Sequence, residues 1–226
     1  MAYILHIDTS ADTGLTALAK DGAVLGIVEN ADTRNHAAVI NTNIEQLLAE
    51  HDITLQDLDC IAVCGGPGSY TGLRIGLATA KGFCYALDKP LMMHNKLLLL
   101  ATRYAYSEEG FDAFVSILQA RAGEYFAAVY NADLLEIKEP QHVLEDDMVT
   151  FAAGIPDNFM VSGYMDEITE VAFKRSALSS DSVHIDIYNW AKYAFDKYNC
   201  NEFVNLANVE PFYLKQVYTH KPKNIN

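Results

Sequence analysis

The sequence predicts an α/β protein built in two lobes. Three observations carry this. Apolar stretches with strand-like alternation take turns with stretches of 3.6-residue periodicity in both halves of the chain, the pattern of sheets layered with helices. The chain turns polar at 107–112, around Glu108-Glu109-Gly110, which marks a boundary. And 226 residues that are 50% hydrophobic and 20% charged hold enough apolar surface for a real core, which excludes a disordered chain. The first lobe is expected to span residues 1–106. A smaller, divergent second lobe spans 107–226, with its last residues available to pack back on the first.

The first thirty residues read as an antiparallel meander. Tyr3–Thr9 is apolar and ends on the carboxylate of Asp8, and Leu15–Ala19 follows. Lys20-Asp21-Gly22 makes a tight turn, because Asp-Gly tolerates positive φ, and Ala23–Glu29 returns. A helix follows, with Asn35 as N-cap, in which Ala37, Ile40, Ile44, Leu47 and Leu48 recur at helical spacing up to His51. After the strand Cys60–Cys64 comes a Gly-rich run and a second long helix to Leu87, ended by Asp88-Lys89-Pro90. Leu91–Met93 is a short strand and Asn95–Tyr106 a third helix. Beyond the boundary, Ala113–Gln119 and Tyr125–Tyr130 are strands around an Arg121–Glu124 turn. Glu145–Ala153 is a short helix with Asp146 and Asp147 at its N-terminal dipole. Phe159–Ser162 is a strand, Ile185–Tyr198 a helix and Pro211–Val217 an extended segment. No internal sequence repeat occurs.

Charge and side-chain chemistry narrow the function classes. Sixteen Lys and Arg face 30 Asp and Glu, a net charge of −14, and both halves are negative. Unaided binding to nucleic acid or to an acidic membrane is not expected, since phosphate affinity needs clustered cations. The one basic stretch, Lys215, Lys221 and Lys223, reads as a solvated terminus. No apolar run approaches the length of a membrane helix, and Met1–Asp8 does not read as a signal peptide, so a cytoplasmic protein is expected. The cysteines Cys60, Cys64, Cys84 and Cys200 lack the spacing of a redox or zinc motif and are expected to be buried and reduced. No two of the seven histidines stand three or four residues apart, so no helical metal pair is expected.

The run Gly65–Arg74 follows a buried strand and opens a helix. Its glycines permit close backbone approach, and the helix N-terminus offers free N–H groups. It reads either as an anion cradle or as a tight strand-to-helix turn. It fits neither a Walker loop nor a nucleophile elbow. Asp8, Thr9 and Ser10 at the first turn, with Gly66, Gly68, Ser69 and Arg74, are the candidate nucleotide or anion contacts. Asp8 and Ser10 fit local turn bonding better than phosphate binding. Arg74 suits an anion or a local carboxylate equally. In the second half only Ser162-Gly163 offers a phosphate turn, a weak one.

The run Gly66-Pro67-Gly68-Ser69-Tyr70-Thr71-Gly72-Leu73-Arg74-Ile75-Gly76 closely resembles the signature of the bacterial TsaB (YeaZ) family. Leu5-His6-Ile7-Asp8-Thr9-Ser10, Arg34–His36 before the first helix, Arg121-Ala122-Gly123-Glu124-Tyr125 and Pro211-Phe212-Tyr213-Leu214-Lys215 agree in order. The match covers residues 1–100 well and the rest loosely. The resemblance implies the actin-like, ribonuclease H-like (ASKHA) fold. It implies a non-catalytic relative of TsaD, the protein that puts a threonylcarbamoyl group on the adenosine beside the tRNA anticodon. The implied role is an accessory subunit that binds and stabilises a TsaD-like catalytic subunit and supports assembly with a TsaE-like ATPase. It would meet tRNA only through the complex, with no catalytic residue, metal or cofactor of its own. Two departures bear on chemistry. Gln119 stands where the family often has an aspartate. Lys96 and Leu100 stand where the catalytic relative carries a His-x-x-x-His metal pair, and neither is a transition-metal ligand.

Gly72, Gly76, Ala80 and Cys84 stand four apart and form one small-residue face of the second helix. Glycine inside a soluble helix costs roughly 1 kcal/mol against alanine, so the face needs a reason. It packs either on the protein's own sheet or on a helix of another chain, and the resemblance favours the second, through the first two helices. The implied partner interface is His36, Asn41, Glu45, Gly72, Ile75, Gly76, Thr79, Ala80 and Phe83, with a homodimer expected when the partner is absent. The rival reading is an enzyme in its own right, either an ATP-dependent transferase or a metallopeptidase of the M22 glycoprotease kind.

Overall fold

A computed structural model describes residues 1–32, 35–106, 110–173, 179–180 and 182–215. The first sheet begins with the meander β1 (Tyr3–Asp8), β2 (Gly14–Lys20) and β3 (Ala23–Asn30). Asp21 and Gly22, at φ 51° and 80°, make the turn between β2 and β3. Helix α1 (His36–Ala49), strand β4 (Cys60–Cys64), helix α2 (Tyr70–Leu87) and strand β5 (Leu91–His94) complete a sheet of order β3-β2-β1-β4-β5. Its first three strands are antiparallel, and β1, β4 and β5 run parallel. Asn35 stands at the N-cap of α1 but makes no side-chain cap bond there. Ser69 does cap α2, accepting from the Gly72 N–H at 3.2 Å.

Helix α3 (Lys96–Ala105) leads into the second sheet. Its strands are β6 (Ala113–Arg121), β7 (Glu124–Asn131) and β8 (Glu136–Leu144), then, after the short helix α4 (Met148–Ala152), β9 (Phe159–Gly163). Helix α5 (Glu167–Ala172) leads to β10 (Ser179–Ser180), and α6 (Ile187–Asn199) follows. The order is β10-β9-β6-β7-β8, with β6, β7 and β8 antiparallel and β6, β9 and β10 parallel. The second sheet therefore repeats the topology of the first without repeating its sequence. This is the α/β architecture of sheets layered with helices that the sequence predicts. Strand β8 and helix α5 were not expected. Strand β8 contains Pro140, which an edge strand tolerates because one row of its N–H groups has no ladder to join.

The first sheet is covered on both faces. Leu5 and Ile7 of β1, with Ile61 and Val63 of β4, turn toward Ile40, Ile44 and Leu47 of α1 and Leu77 and Ala80 of α2. The alternating residues Ile4, Cys60 and Ala62 turn the other way, onto Trp190 and Ala194 of α6. A helix from beyond the second sheet thus closes the first. Helix α3 wedges between the sheets, with Leu97, Leu100 and Ala101 against Phe114, Leu118 and Met160. Met148, Phe151 and Phe173 cover the outer face of the second sheet.

The segment 203–215 returns over the first lobe without strand structure, where an extended segment through Val217 was expected; 216–217 lie outside the described residues. Its backbone bonds run from Val204 N–H to the Leu91 carbonyl (2.9 Å) and from Phe212 N–H to the Gly65 carbonyl (2.8 Å). Lys215 then pairs with Glu124 of the second sheet, so the segment straps the lobes together. Among the described residues no helix is long and apolar enough to cross a membrane. Cys60, Cys64 and Cys84 are buried free thiols, and Cys200, against expectation, is exposed. Burial pushes the three buried thiols up to about 12, which leaves them unreactive.

Candidate functional site

Of the concave regions that involve residues singled out from the sequence, two bear on function. The first is an apolar groove of about 900 Å³ between α1 and α2. Helix α1 spends Ile40, Ile44, Leu47 and Leu48 on the core. Asn41 and Glu45 are left at the groove wall, where Thr79 and Phe83 of α2 face them. Its floor and far wall are Ile53, Leu55, Ala78, Gly82 and Ala86. A Cβ built at Gly82 would meet nothing within 4 Å, so this stretch of helix surface is open.

Four of the expected interface residues therefore line one groove, and the others do not. Gly72, Gly76 and Ala80 are buried with Cys84 against the protein's own sheet. A Cβ at Gly72 would overlap the Thr9 carbonyl oxygen, and one at Gly76 would overlap the Thr9 hydroxyl. That small-residue face lets α2 lie close on the turn after β1, and a second chain cannot reach it. The intermolecular reading of this face is corrected to the internal one. His36 is also buried: its ring bridges Asn30 Nδ2 (3.1 Å) and the Ala11 carbonyl (3.3 Å) and fastens the start of α1 to the meander. Ile75 is half-buried and outside the groove wall. Arg34 lies outside the described residues. The sequence reading missed a second stripe, Ala78, Gly82 and Ala86, also four apart and exposed.

The second region is a cleft of about 540 Å³ between the sheets, lined by Ser10, Gly68, Ser69 and Lys96 on one side and Gln119 and Tyr164 on the other. Asp8 Oδ1 accepts from the Ser10 N–H at 2.8 Å, the local turn bond expected of an Asx residue. The Thr9 hydroxyl donates to the Gly72 carbonyl (2.7 Å), and the Ser69 N–H donates to the Ser10 carbonyl (2.8 Å). Lys96 is buried, and its ammonium donates to Ser10 Oγ at 3.1 Å. Gln119 donates to the Tyr164 hydroxyl at 2.9 Å. Gly66 takes φ 97°, and Gly68 lies too close to the Ser10 carbonyl to carry a side chain. The Gly-rich run thus serves as the strand-to-helix turn, with its polar groups largely spent on the turn after β1. Arg74 has its hydrogen bond to a tyrosine, and the Glu210 carboxylate is close enough to act on its charge. Its guanidinium lies 4.1 Å over the Tyr70 ring, and its Nε donates to the Tyr213 hydroxyl at 3.1 Å, away from the cleft. Ser162 is buried against Val115. Among the described residues no group of three or more His, Cys, Asp or Glu is placed to hold a metal ion.

Comparison with known proteins agrees with the resemblance read from the sequence. Residues 16–208 match the family described as TsaD, tRNA N6-adenosine threonylcarbamoyltransferase. The chain is 34% identical over 148 residues to the tRNA threonylcarbamoyladenosine biosynthesis protein TsaB of Bacillus subtilis, a match covering 64% of this chain and 63% of that protein. It is 31% identical over 149 residues to the TsaB of Escherichia coli, covering 65% and 64%. The chain thus spans a little under two thirds of these relatives' length. Among solved structures, YeaZ from Pseudomonas aeruginosa superposes with a TM-score of 0.77 at 22% identity, over 93% of this chain and 100% of that one, which shows a shared fold.

Proposed function

Because the chain belongs to the TsaD (tRNA N6-adenosine threonylcarbamoyltransferase) family, we propose that it serves tRNA threonylcarbamoyladenosine formation as a non-catalytic accessory subunit. It docks a larger, TsaD-like catalytic relative on the groove between α1 and α2. The single observation that carries this reading is that groove: about 900 Å³, walled by Thr79, Gly82 and Phe83 on one helix and Asn41 and Glu45 on the other, with apolar residues on its floor. Exposed small residues let a partner helix approach closely, and removing the apolar floor from water favours association. The TsaB names of the relatives support the pathway. The non-catalytic role is supported by the cleft, where Asp8, Thr9, Ser10 and Ser69 bond to the protein itself and a lysine ammonium occupies the wall. In this reading a TsaE-like ATPase joins the assembled pair, tRNA is gripped by other subunits as the net charge of −14 requires, and the setting is the cytoplasm. Without its partner the same groove pairs two copies of the chain.

Co-expression with the catalytic relative of the same organism, followed by size-exclusion chromatography, tests the proposal. The two chains are expected to co-elute. Gly82→Leu fills the open wall without touching the core and is expected to abolish co-elution without lowering the melting temperature of the single chain. Co-elution unaffected by Gly82→Leu would place the docking surface elsewhere.

A further inference from the structure

A third cavity, of about 690 Å³, lies where α6, the end of β5, strand β8 and the returning segment 203–214 meet. It shares no wall residue with the groove or the cleft. Two of its wall side chains are more than nine-tenths buried, His94 at 7% exposure and Tyr193 at 8%. Their rings meet edge to face with centroids 5.1 Å apart. His94 Nδ1 accepts the Trp190 indole N–H at 2.8 Å, and burial pushes its pKa down to about 3, so the neutral ring carries its proton on Nε2. Among the described residues neither that Nε2–H nor the Tyr193 hydroxyl has a hydrogen-bond partner. Neither belongs to the sealed partnerless atoms of the interior, which are those of His6, Ser116 and Tyr130. Both belong to side chains that line the cavity, so both are placed to meet a molecule that enters it.

The rest of the wall states what such donors would meet. Phe203 and Phe212 join Tyr193 in offering aromatic surface, which suits a flat ring. The charged groups are Glu136 and Glu139, both exposed, and the ion pair of Lys197 with Glu202 at 2.9 Å. The Lys197 ammonium, 5.4 Å from the Tyr193 ring centroid, is already paired with Glu202, and the two further carboxylates leave the wall with an excess of negative charge, which disfavours phosphate and suits hydroxyl or amine donors. The volume falls in the range of small-molecule sites. We propose that this cavity binds an uncharged planar heterocycle of nucleoside size. Its ring lies among the aromatic side chains, its carbonyl or ring-nitrogen edge accepts from His94 and Tyr193, and its hydroxyls face Glu136 and Glu139.

Trp190 is the sole tryptophan of the chain and is bonded to His94, so its emission reports on the site. Uridine, cytidine, inosine and guanosine are titrated into the full chain, read by Trp190 emission and by ligand-observed NMR. At least one nucleoside is expected to give a saturable emission change at submillimolar concentration, with its 5′-monophosphate binding about tenfold more weakly or worse. Tyr193→Phe removes only the partnerless hydroxyl. It is expected to weaken binding roughly three- to tenfold, the worth of one hydrogen bond, without lowering the melting temperature. Glu139→Gln is expected to narrow the gap between nucleoside and monophosphate. The proposal is overturned by silence of all four nucleosides in both measurements, by a monophosphate that binds as tightly as its nucleoside, or by NMR binding that Trp190 and Tyr193→Phe do not register.

Discussion

Protonation of one buried histidine should set part of the acid limb of this protein's stability. His6 lies in the middle of β1, fully buried, edge to face with Trp190 at 5.0 Å, and the Ile4 and Ala17 backbone groups near its ring offset only part of the cost of burying a charge there. Burial pushes its pKa from 6.5 down to about 4. The fold therefore holds the neutral ring, while the unfolded chain takes a proton below about pH 6.5. Stability is fully present above that pH and drains away as pH falls toward 4, where the folded protein also titrates. The difference of about 2.5 units amounts to about 3 kcal/mol, of which about 2 kcal/mol is already lost at pH 5. His6→Phe keeps a ring against Trp190 and removes the titration. Urea unfolding of both proteins at pH 7.5 and pH 5 isolates the effect, because the carboxylates contribute equally to each. The variant should lose about 2 kcal/mol less than the parent between the two pH values. Parallel losses would refute the assignment of this linkage to His6.

Other changes test the packing. Gly72→Ala should destabilise the single chain by about 2 kcal/mol or more in chemical denaturation, because its Cβ meets the Thr9 carbonyl. Gly82→Ala, on the open side of the same helix, should stabilise it by about 1 kcal/mol, and equal effects at the two sites would contradict the placement of the helix faces. Ser69→Ala should cost about 1 kcal/mol through loss of the cap on the Gly72 N–H, measured by the same denaturation. Incubation with a chelator should leave the melting temperature of the purified chain unchanged, and a drop of several degrees together with one transition metal per chain in elemental analysis would revive the enzyme reading.

Local signals carried the first lobe. The Asp-Gly turn, the helical spacing of Ile40, Ile44 and Leu47 and the Gly-rich link between β4 and α2 each have one cheap backbone solution, and the structure adopts it. The helix faces were harder. Periodicity says which residues share a face but not which face is inside, and α2 carries two small-residue stripes. The reading picked out 72/76/80/84, which is buried, and did not notice 78/82/86, which is open. Strand β8 escaped because Glu136–Leu144 buries little, so its alternation is mostly polar on both sides. The third cavity was illegible for a different reason. His94 and Trp190 are 96 residues apart, and only the strap of 203–215 and the return of α6 bring its walls together.

That return has a consequence for biosynthesis. The strands of the first sheet are complete once β5 has left the ribosome, yet Ile4, Ala62 and Met92 on its rear face have only Leu98 and Leu99 of α3 to pack with until α6 has followed the whole second lobe out. At the usual pace of translation that interval lasts roughly 5–20 s. Through it the nascent chain presents an incompletely covered apolar plane. A message cut short between β5 and α6 would yield an aggregation-prone fragment in place of a working half.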